Sequence, residues 1–109
     1  MPDVKFSMGG MTFVYDSEKE AINKRKHGLG FRTAAFVFQD TLRLDFPDEM
    51  HSTVNEERWM TIGLVHDILT VVYCEREDDG APAFRLISAR QATPVERNLY
   101  NDSVYGRRK

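Results

Sequence analysis

The stretch RWMTIGLVHDILTVVYCE, residues 58–75, decides the fold. Residues 58–65 and 68–75 are two runs rich in β-branched, aromatic and other apolar residues with only His66-Asp67 between them, so their spacing predicts an antiparallel hairpin closed by a tight turn. Upstream, Leu42, Leu44 and Phe46 alternate with Arg43 and Asp45, the pattern of a half-buried strand. Downstream, residues 83–88 read as the last strand, after an acidic segment over 76–82 whose Gly80 and Pro82 mark it as a loop. Residues 11–15 form a further short strand nearer the N-terminus.

Helices fill the intervals. Ser17-Glu18-Lys19-Glu20 has the spacing of a capping box, and Gly28 is placed to end that helix in the left-handed conformation after Lys26 and His27. Phe31, Ala34, Ala35 and Phe38 follow the i, i+3, i+4, i+7 rule and give a second short helix one apolar stripe. Thr93-Pro94-Val95-Glu96 sets a capping Thr, a Pro at the first helical position and a Glu two residues on, which starts a final helix. The order β-α-α-β-β-β-β-α predicts an α+β fold, a mainly antiparallel sheet covered by helices. Residues 1–10, which end in Gly9-Gly10, read as a loose N-terminal leader. Residues 11–105 read as a single domain and 106–109 as a basic tail.

A chain of 109 residues with 41% hydrophobic and 29% charged content supports one modest core. No apolar run approaches the roughly 20 residues needed to cross a bilayer, and no basic stretch followed by an apolar segment opens the chain, so a cytoplasmic protein is expected. The single cysteine, Cys74, has no partner for an intramolecular disulfide and reads as a small buried hydrophobe. The net charge of −2 argues against a nucleic-acid partner. Its distribution argues the other way: Lys19, Lys24, Arg25, Lys26 and Arg32 form one basic segment, and Arg85, Arg90, Arg97, Arg107, Arg108 and Lys109 another. A fold that joined the two would build a phosphate-binding surface on a net-acidic protein, whereas apart they are ordinary solvated charge.

At 100° per residue, Lys19, Asn23 and Lys26 share one helix face with His27 at its margin. Two amines, an amide and an imidazole so aligned suit one anionic ligand; the same face also reads as plain exposed helix surface. Glu57 and Arg58 head a strand and point to opposite sides, so at most one joins a given site. By the same alternation Arg85, Ile87 and Ala89 share one face of the last strand and Leu86, Ser88 and Arg90 the other. An arginine just before a helix can fork onto a phosphate, or pair with Glu96 or Glu57 as surface structure. There is no phosphate-cradling glycine loop, no Cys/His metal spacing and no nucleophile elbow, so neither metal nor cofactor is expected. His51, in an acidic loop, and His66, in the hairpin turn, have no partner that spacing names.

Several of these residues also stand in a familiar arrangement. Tyr15-Asp16, Lys19, Asn23, Lys26-His27-Gly28, Phe31 and Ala34-Ala35 resemble the N-terminal signature of the BrnT toxin family, in which an aromatic-Asp pair opens a helix ending in Lys-His-Gly. Glu57-Arg58, Ile62-Gly63, Glu75-Arg76, the run Arg85-Leu86-Ile87-Ser88-Ala89-Arg90, Ala92, Glu96-Arg97 and Tyr100 resemble the rest of that family in order and spacing. The resemblance spans about residues 11–100; Leu29-Gly30, the acidic Glu77-Asp78-Asp79 and extra residues at both ends depart from it. It implies a RelE-like fold and metal-independent RNA cleavage by attack of a ribose 2′-hydroxyl on the adjacent phosphorus. Lys26 and Arg90 are then the candidates for phosphate and transition-state charge, with Arg58 and Arg76 behind them, and His27 or Glu57 the candidates to take the proton. Lys19, Asn23, Arg76 and Arg85 are candidate RNA contacts. The resemblance further implies a BrnA-like antitoxin that masks the site and, as a complex, represses their shared promoter. Two other readings compete: a catalytically inactive partner-binding module in transcriptional control, and a general RNA-binding domain.

Overall fold

Gly9 and Gly10 take φ of 58° and 78°, the left-handed pair that a two-residue hairpin turn requires and that side-chain-bearing residues resist. They join β1 (Asp3–Met8) to β2 (Met11–Asp16), antiparallel from Asp3↔Asp16 to Met8↔Met11. A computed structural model describes residues 3–108. The loose leader expected over 1–10 is therefore corrected: Val4, Phe6 and Met8 alternate toward the core, and the Phe6 ring stacks on Phe13 at 5.3 Å. Met1 and Pro2 of that stretch lie outside the described residues.

Helix α1 (Ser17–His27) is capped by Asp16, whose carboxylate accepts from the N–H groups of Glu18 and Lys19, and not by the Ser17–Glu20 box. Glu20 instead accepts from the Phe31 N–H at 2.8 Å and so caps α2 (Phe31–Ala35). Gly28 ends α1 at φ 71° with its N–H on the Lys24 carbonyl, as its position predicted. The apolar stripe runs through α2 into a 3-10 turn (Phe36–Gln39), where Phe31, Ala34, Ala35, Val37 and Phe38 are buried and Phe36 is half exposed.

Strands β3 (Leu44–Pro47), β4 (Trp59–Leu64), β5 (Ile68–Asp78) and β6 (Ala81–Gln91) follow. The expected central hairpin forms, from Trp59↔Tyr73 to Leu64↔Ile68, but Val65 joins His66 and Asp67 in a three-residue connection, so the pairing is offset by one residue from that of a two-residue turn. The loop expected over 76–82 is absent: β5 and β6 pair as far as Asp78↔Ala81, and Asp79-Gly80 alone turn the chain at φ 50° and 79°. Asp-Gly is a strong two-residue hairpin signal, and it outweighs the acidity of the flanking residues. Pro82 is tolerated within this strand pair near its tip.

The sheet order is β1-β2-β6-β5-β4-β3, antiparallel throughout except for β2 and β6. This is the α+β, mostly antiparallel architecture that the element order predicted. One face carries the main core under α1, α2 and the 3-10 turn, where Phe31, Tyr15, Phe6, Phe13, Phe38, Tyr73 and Phe84 form a chain of ring contacts, mostly edge-on or tilted. Gly63 allows β4 to approach the 3-10 turn, because a methyl there would stand 2.7 Å from Val37 Cγ1. Helix α3 (Pro94–Arg108) packs Tyr100 and Val104 on Ile62, Ile68, Ala92 and Phe46 on the opposite face. It continues through residues 106–108 of the stretch expected to be a basic tail, and Lys109 lies outside the described residues. Because α3 covers only the β3-β4-β5 end, the face of β2, β6 and β5 beside it is left for the site.

Candidate functional site

The geometry of the site begins with a slip in the β5–β6 ladder. Tyr73 pairs with Leu86 but Val72 pairs with Ser88, so Ile87 is an extra residue bulged out of β6. The bulge breaks the alternation expected from sequence. Leu86 and Ala89 are both buried in the core, and Arg85, Ser88 and Arg90 emerge together on the face opposite the main core. A regular strand would have sent Arg85 and Arg90 to opposite sides.

Helix α1 reaches this face through Asn23. Beyond Phe84 and Arg85 strand β6 has no β2 partner. The Asn23 carboxamide takes that place: its Nδ2 donates to the Ala89 carbonyl at 2.9 Å and its Oδ1 accepts from the Ala89 N–H at 3.0 Å. A second Nδ2 bond at 2.9 Å holds the Leu29 carbonyl. Asn23, a candidate RNA contact that lines the same depression as Lys19 and Lys26, is buried and also pins α1 to the sheet. Lys19, Lys26 and His27, exposed on the same helix, have no ion pair among the described residues.

Three depressions meet at Ile87. Lys19, Lys26 and His27 line the first with Ile87 and Ser88; Lys19, Arg58, Arg76 and Arg85 line the second; Arg58, Ser88, Arg90 and His51 line the third. Shared walls make them one groove, and it joins the two basic segments of the sequence. Lys26 and Arg90 thus border adjoining depressions that share Ile87 and Ser88.

Each groove arginine is held by a carboxylate. Arg85 forks onto Asp3 at 3.2 and 3.0 Å, Arg58 and Arg76 hold Glu56 at 2.9 and 2.8 Å, and Arg90 forks onto Glu96 at 2.6 and 3.0 Å. Arg58 and Arg76 lower the Glu56 carboxyl below its usual range, as Arg85 does that of Asp3. Glu96 is the most perturbed: chiefly Arg90, with the Thr93 N–H and the Thr70 hydroxyl, brings it from 4.5 to about 2. It also completes the α3 capping box, since the Glu96 N–H donates to Thr93 Oγ1 at 3.2 Å.

A depressed folded-state value means that Glu96 stabilises the fold fully above the unfolded value of 4.5 and loses that contribution as pH falls toward about 2. We expect Glu96→Gln to cost about 2 kcal/mol at neutral pH and much less near pH 2. Urea melts of both chains across that interval check this; a difference independent of pH contradicts it.

Glu57, expected as a proton acceptor, is exposed and borders depressions that contain neither Lys26 nor Arg90, so the structure does not bring it into the groove. Its neighbour Glu56, passed over in the sequence, clamps Arg58 and Arg76. Ser88 was not named as a site residue, although alternation already set it on the face of Arg90, where the structure keeps it. The choice between partners for Arg90 falls to Glu96, six residues away across the turn into α3. Cys74 is buried and unpaired, as its apolar setting predicted. Among the described residues no helix is long and apolar enough to cross a membrane.

Among curated proteins, none matches the chain. Residues 15–96 match the family model BrnT_toxin, described as ribonuclease toxin, BrnT, of type II toxin-antitoxin system, and that interval contains Lys19, Lys26, His27 and all four groove arginines. With the match covering well over half of its length, the chain belongs to the BrnT family of ribonuclease toxins of type II toxin-antitoxin systems.

Proposed function

We propose that this chain is a cytoplasmic endoribonuclease with a RelE-like fold. It cuts RNA in the groove around Ile87 by attack of a ribose 2′-hydroxyl on the neighbouring phosphorus, without a metal ion. The observation that carries the reading is the convergence of Lys19 and Lys26 from α1 with Arg58, Arg76, Arg85 and Arg90 from the sheet. A ribose-phosphate strand presents one negative charge per nucleotide, and such a groove can grip several in succession. Lys26 and Arg90 meet the reacting phosphate and the charge that grows on it, Arg58 and Arg76 stand behind them, and Lys19 and Arg85 hold flanking phosphates. Of the two proton carriers read from the sequence, His27 borders the groove.

The ion pairs fit this use. A phosphate entering the groove replaces Asp3, Glu56 or Glu96 as the partner of an arginine, so the cations are ordered before RNA arrives and remain paired after it binds. Membership in a toxin-antitoxin family supports a protein partner; a BrnA-like antitoxin covers the groove and, in complex with this chain, represses their shared promoter.

Incubating the purified chain with a single-stranded RNA in excess EDTA tests the reading. New 5′-hydroxyl ends and 2′,3′-cyclic phosphates are expected, with apparent affinity falling as salt rises at a log–log slope of about −0.7 per phosphate contact. RNA that stays intact at all chain concentrations, or is cut only when a divalent ion is added, overturns it. Intact RNA that is nonetheless retained by the chain points to the non-cleaving RNA-binding reading.

A further inference from the structure

The loop before β4 places a second imidazole at the groove, on the side of Arg90. His51 Nδ1 lies 3.1 and 3.0 Å from the two carboxylate oxygens of Asp48, whose side chain is only 8% exposed while that of His51 is 63% exposed. A carboxylate only accepts hydrogen bonds, so Nδ1 carries the hydrogen and the neutral ring keeps its lone pair on Nε2. That atom has no partner among the described residues. The loop is fastened to the arginine beside it: the Asp48 N–H donates to the Arg58 carbonyl at 2.7 Å, and Ser52 Oγ donates to the Asp48 carbonyl at 2.7 Å and accepts from the Arg58 N–H at 2.8 Å. Dyad and arginine therefore move as one unit. His51, Arg58, Ser88 and Arg90 border a single depression of about 490 Å³.

We propose that His51 is the general base of the RNA-cleavage reaction and that Asp48 is its positioning residue, with Arg58 and Arg90 gripping the phosphate. This deepens the ribonuclease reading and rests on it. His51 Nε2 takes the proton of the ribose 2′-hydroxyl as the 2′-oxygen bonds to phosphorus and the P–O5′ bond breaks. The departing O5′ takes a proton from water, and His51 later returns its own to solvent. The products are a 2′,3′-cyclic phosphate and a 5′-hydroxyl, with no net change in protons. Burial of Asp48 keeps its carboxylate on the imidazole, an arrangement that orients the ring with Nε2 toward the groove. His27, at the opposite rim, has no carboxylate partner among the described residues.

Cleavage of one labelled single-stranded RNA is followed from pH 5 to pH 9 for the parent chain, His51→Gln, Asp48→Asn and Arg90→Ala, each checked by thermal melting. His51→Gln is expected to lower kcat by about 10²–10⁴-fold with KM within about twofold, and to remove the limb of the pH–rate profile set by the base. Asp48→Asn is expected to lower kcat by about 10²-fold and displace that limb, with melting showing it folded. Should His51→Gln cut at the parent rate with an unchanged profile, or alter KM alone, while Arg90→Ala loses activity, the dyad assignment is overturned and the ribonuclease reading stands. A parent chain that leaves the RNA intact overturns both.

Discussion

Replacing Arg90 with alanine is expected to abolish growth inhibition by the expressed chain and to lower kcat/KM for RNA cleavage by about 10²–10³-fold. The bulge at Ile87 delivers Arg90 to the groove face, and Glu96 already holds its guanidinium as a fork matched to two oxygens of one anion. A phosphate passing through a five-coordinate transition state gains negative charge at that distance from the ring of cations, where a fixed donor is worth more than it is to the ground state. Arg90→Lys separates charge from geometry: it keeps the cation but loses the fork, so an intermediate loss of roughly tenfold is expected. Glu96 retains the Thr93 N–H and the Thr70 hydroxyl in both variants, which keeps the unpaired carboxylate from unfolding the helix start. Single-turnover cleavage at equal folded concentration is the measurement. Parent-like rates for Arg90→Ala remove this residue from the site.

The second large effect is on stability, and it begins at a residue that the sequence offers as a ligand contact. Asn23→Ala deletes three hydrogen bonds and leaves the Ala89 N–H, the Ala89 carbonyl and the Leu29 carbonyl without their partner. Two of those groups are buried at the unpaired edge of β6, where water cannot replace the amide at no cost. A loss of about 3–5 kcal/mol is expected, seen as a fall in melting temperature of roughly 10–20 °C. Asn23→Asp keeps an acceptor but loses both donors and sets a carboxylate against two carbonyls, so it should recover none of the loss. Activity follows stability here, because α1 is strongly polar and Asn23 is its only buried residue. Freed from β6, that helix no longer presents Lys19, Lys26 and His27 to the sheet. A chemical melt of Asn23→Ala within about 1 kcal/mol of the parent refutes the pin.

Much of this protein is legible without coordinates. The two apolar runs around His66-Asp67, the stripe from Phe31 to Phe38, Gly28 as a helix stop and Thr93-Pro94-Val95-Glu96 as a helix start all behave as their chemistry dictates. Each is a local rule, satisfied by residues within a few positions of one another. Gly9-Gly10 and Asp79-Gly80 obey local rules as well: both are two-residue hairpin turns, set in surroundings whose looseness or acidity reads as leader or loop.

The choice of residues in the groove was of another kind. Side-chain alternation in β6 assigns Arg85 and Arg90 to opposite faces, and one inserted residue at Ile87 reverses that assignment. Sequence by itself determined the elements from β2 onward, their order and the cations available to bind an anion. Tertiary structure alone decided which of those cations share a face, which carboxylate each one meets, and that Asn23 is bonded to the open edge of β6. The reason is physical: periodicity is set by the backbone of a single segment, whereas a bulge, an edge cap or an ion pair is set by what a distant segment brings to meet it.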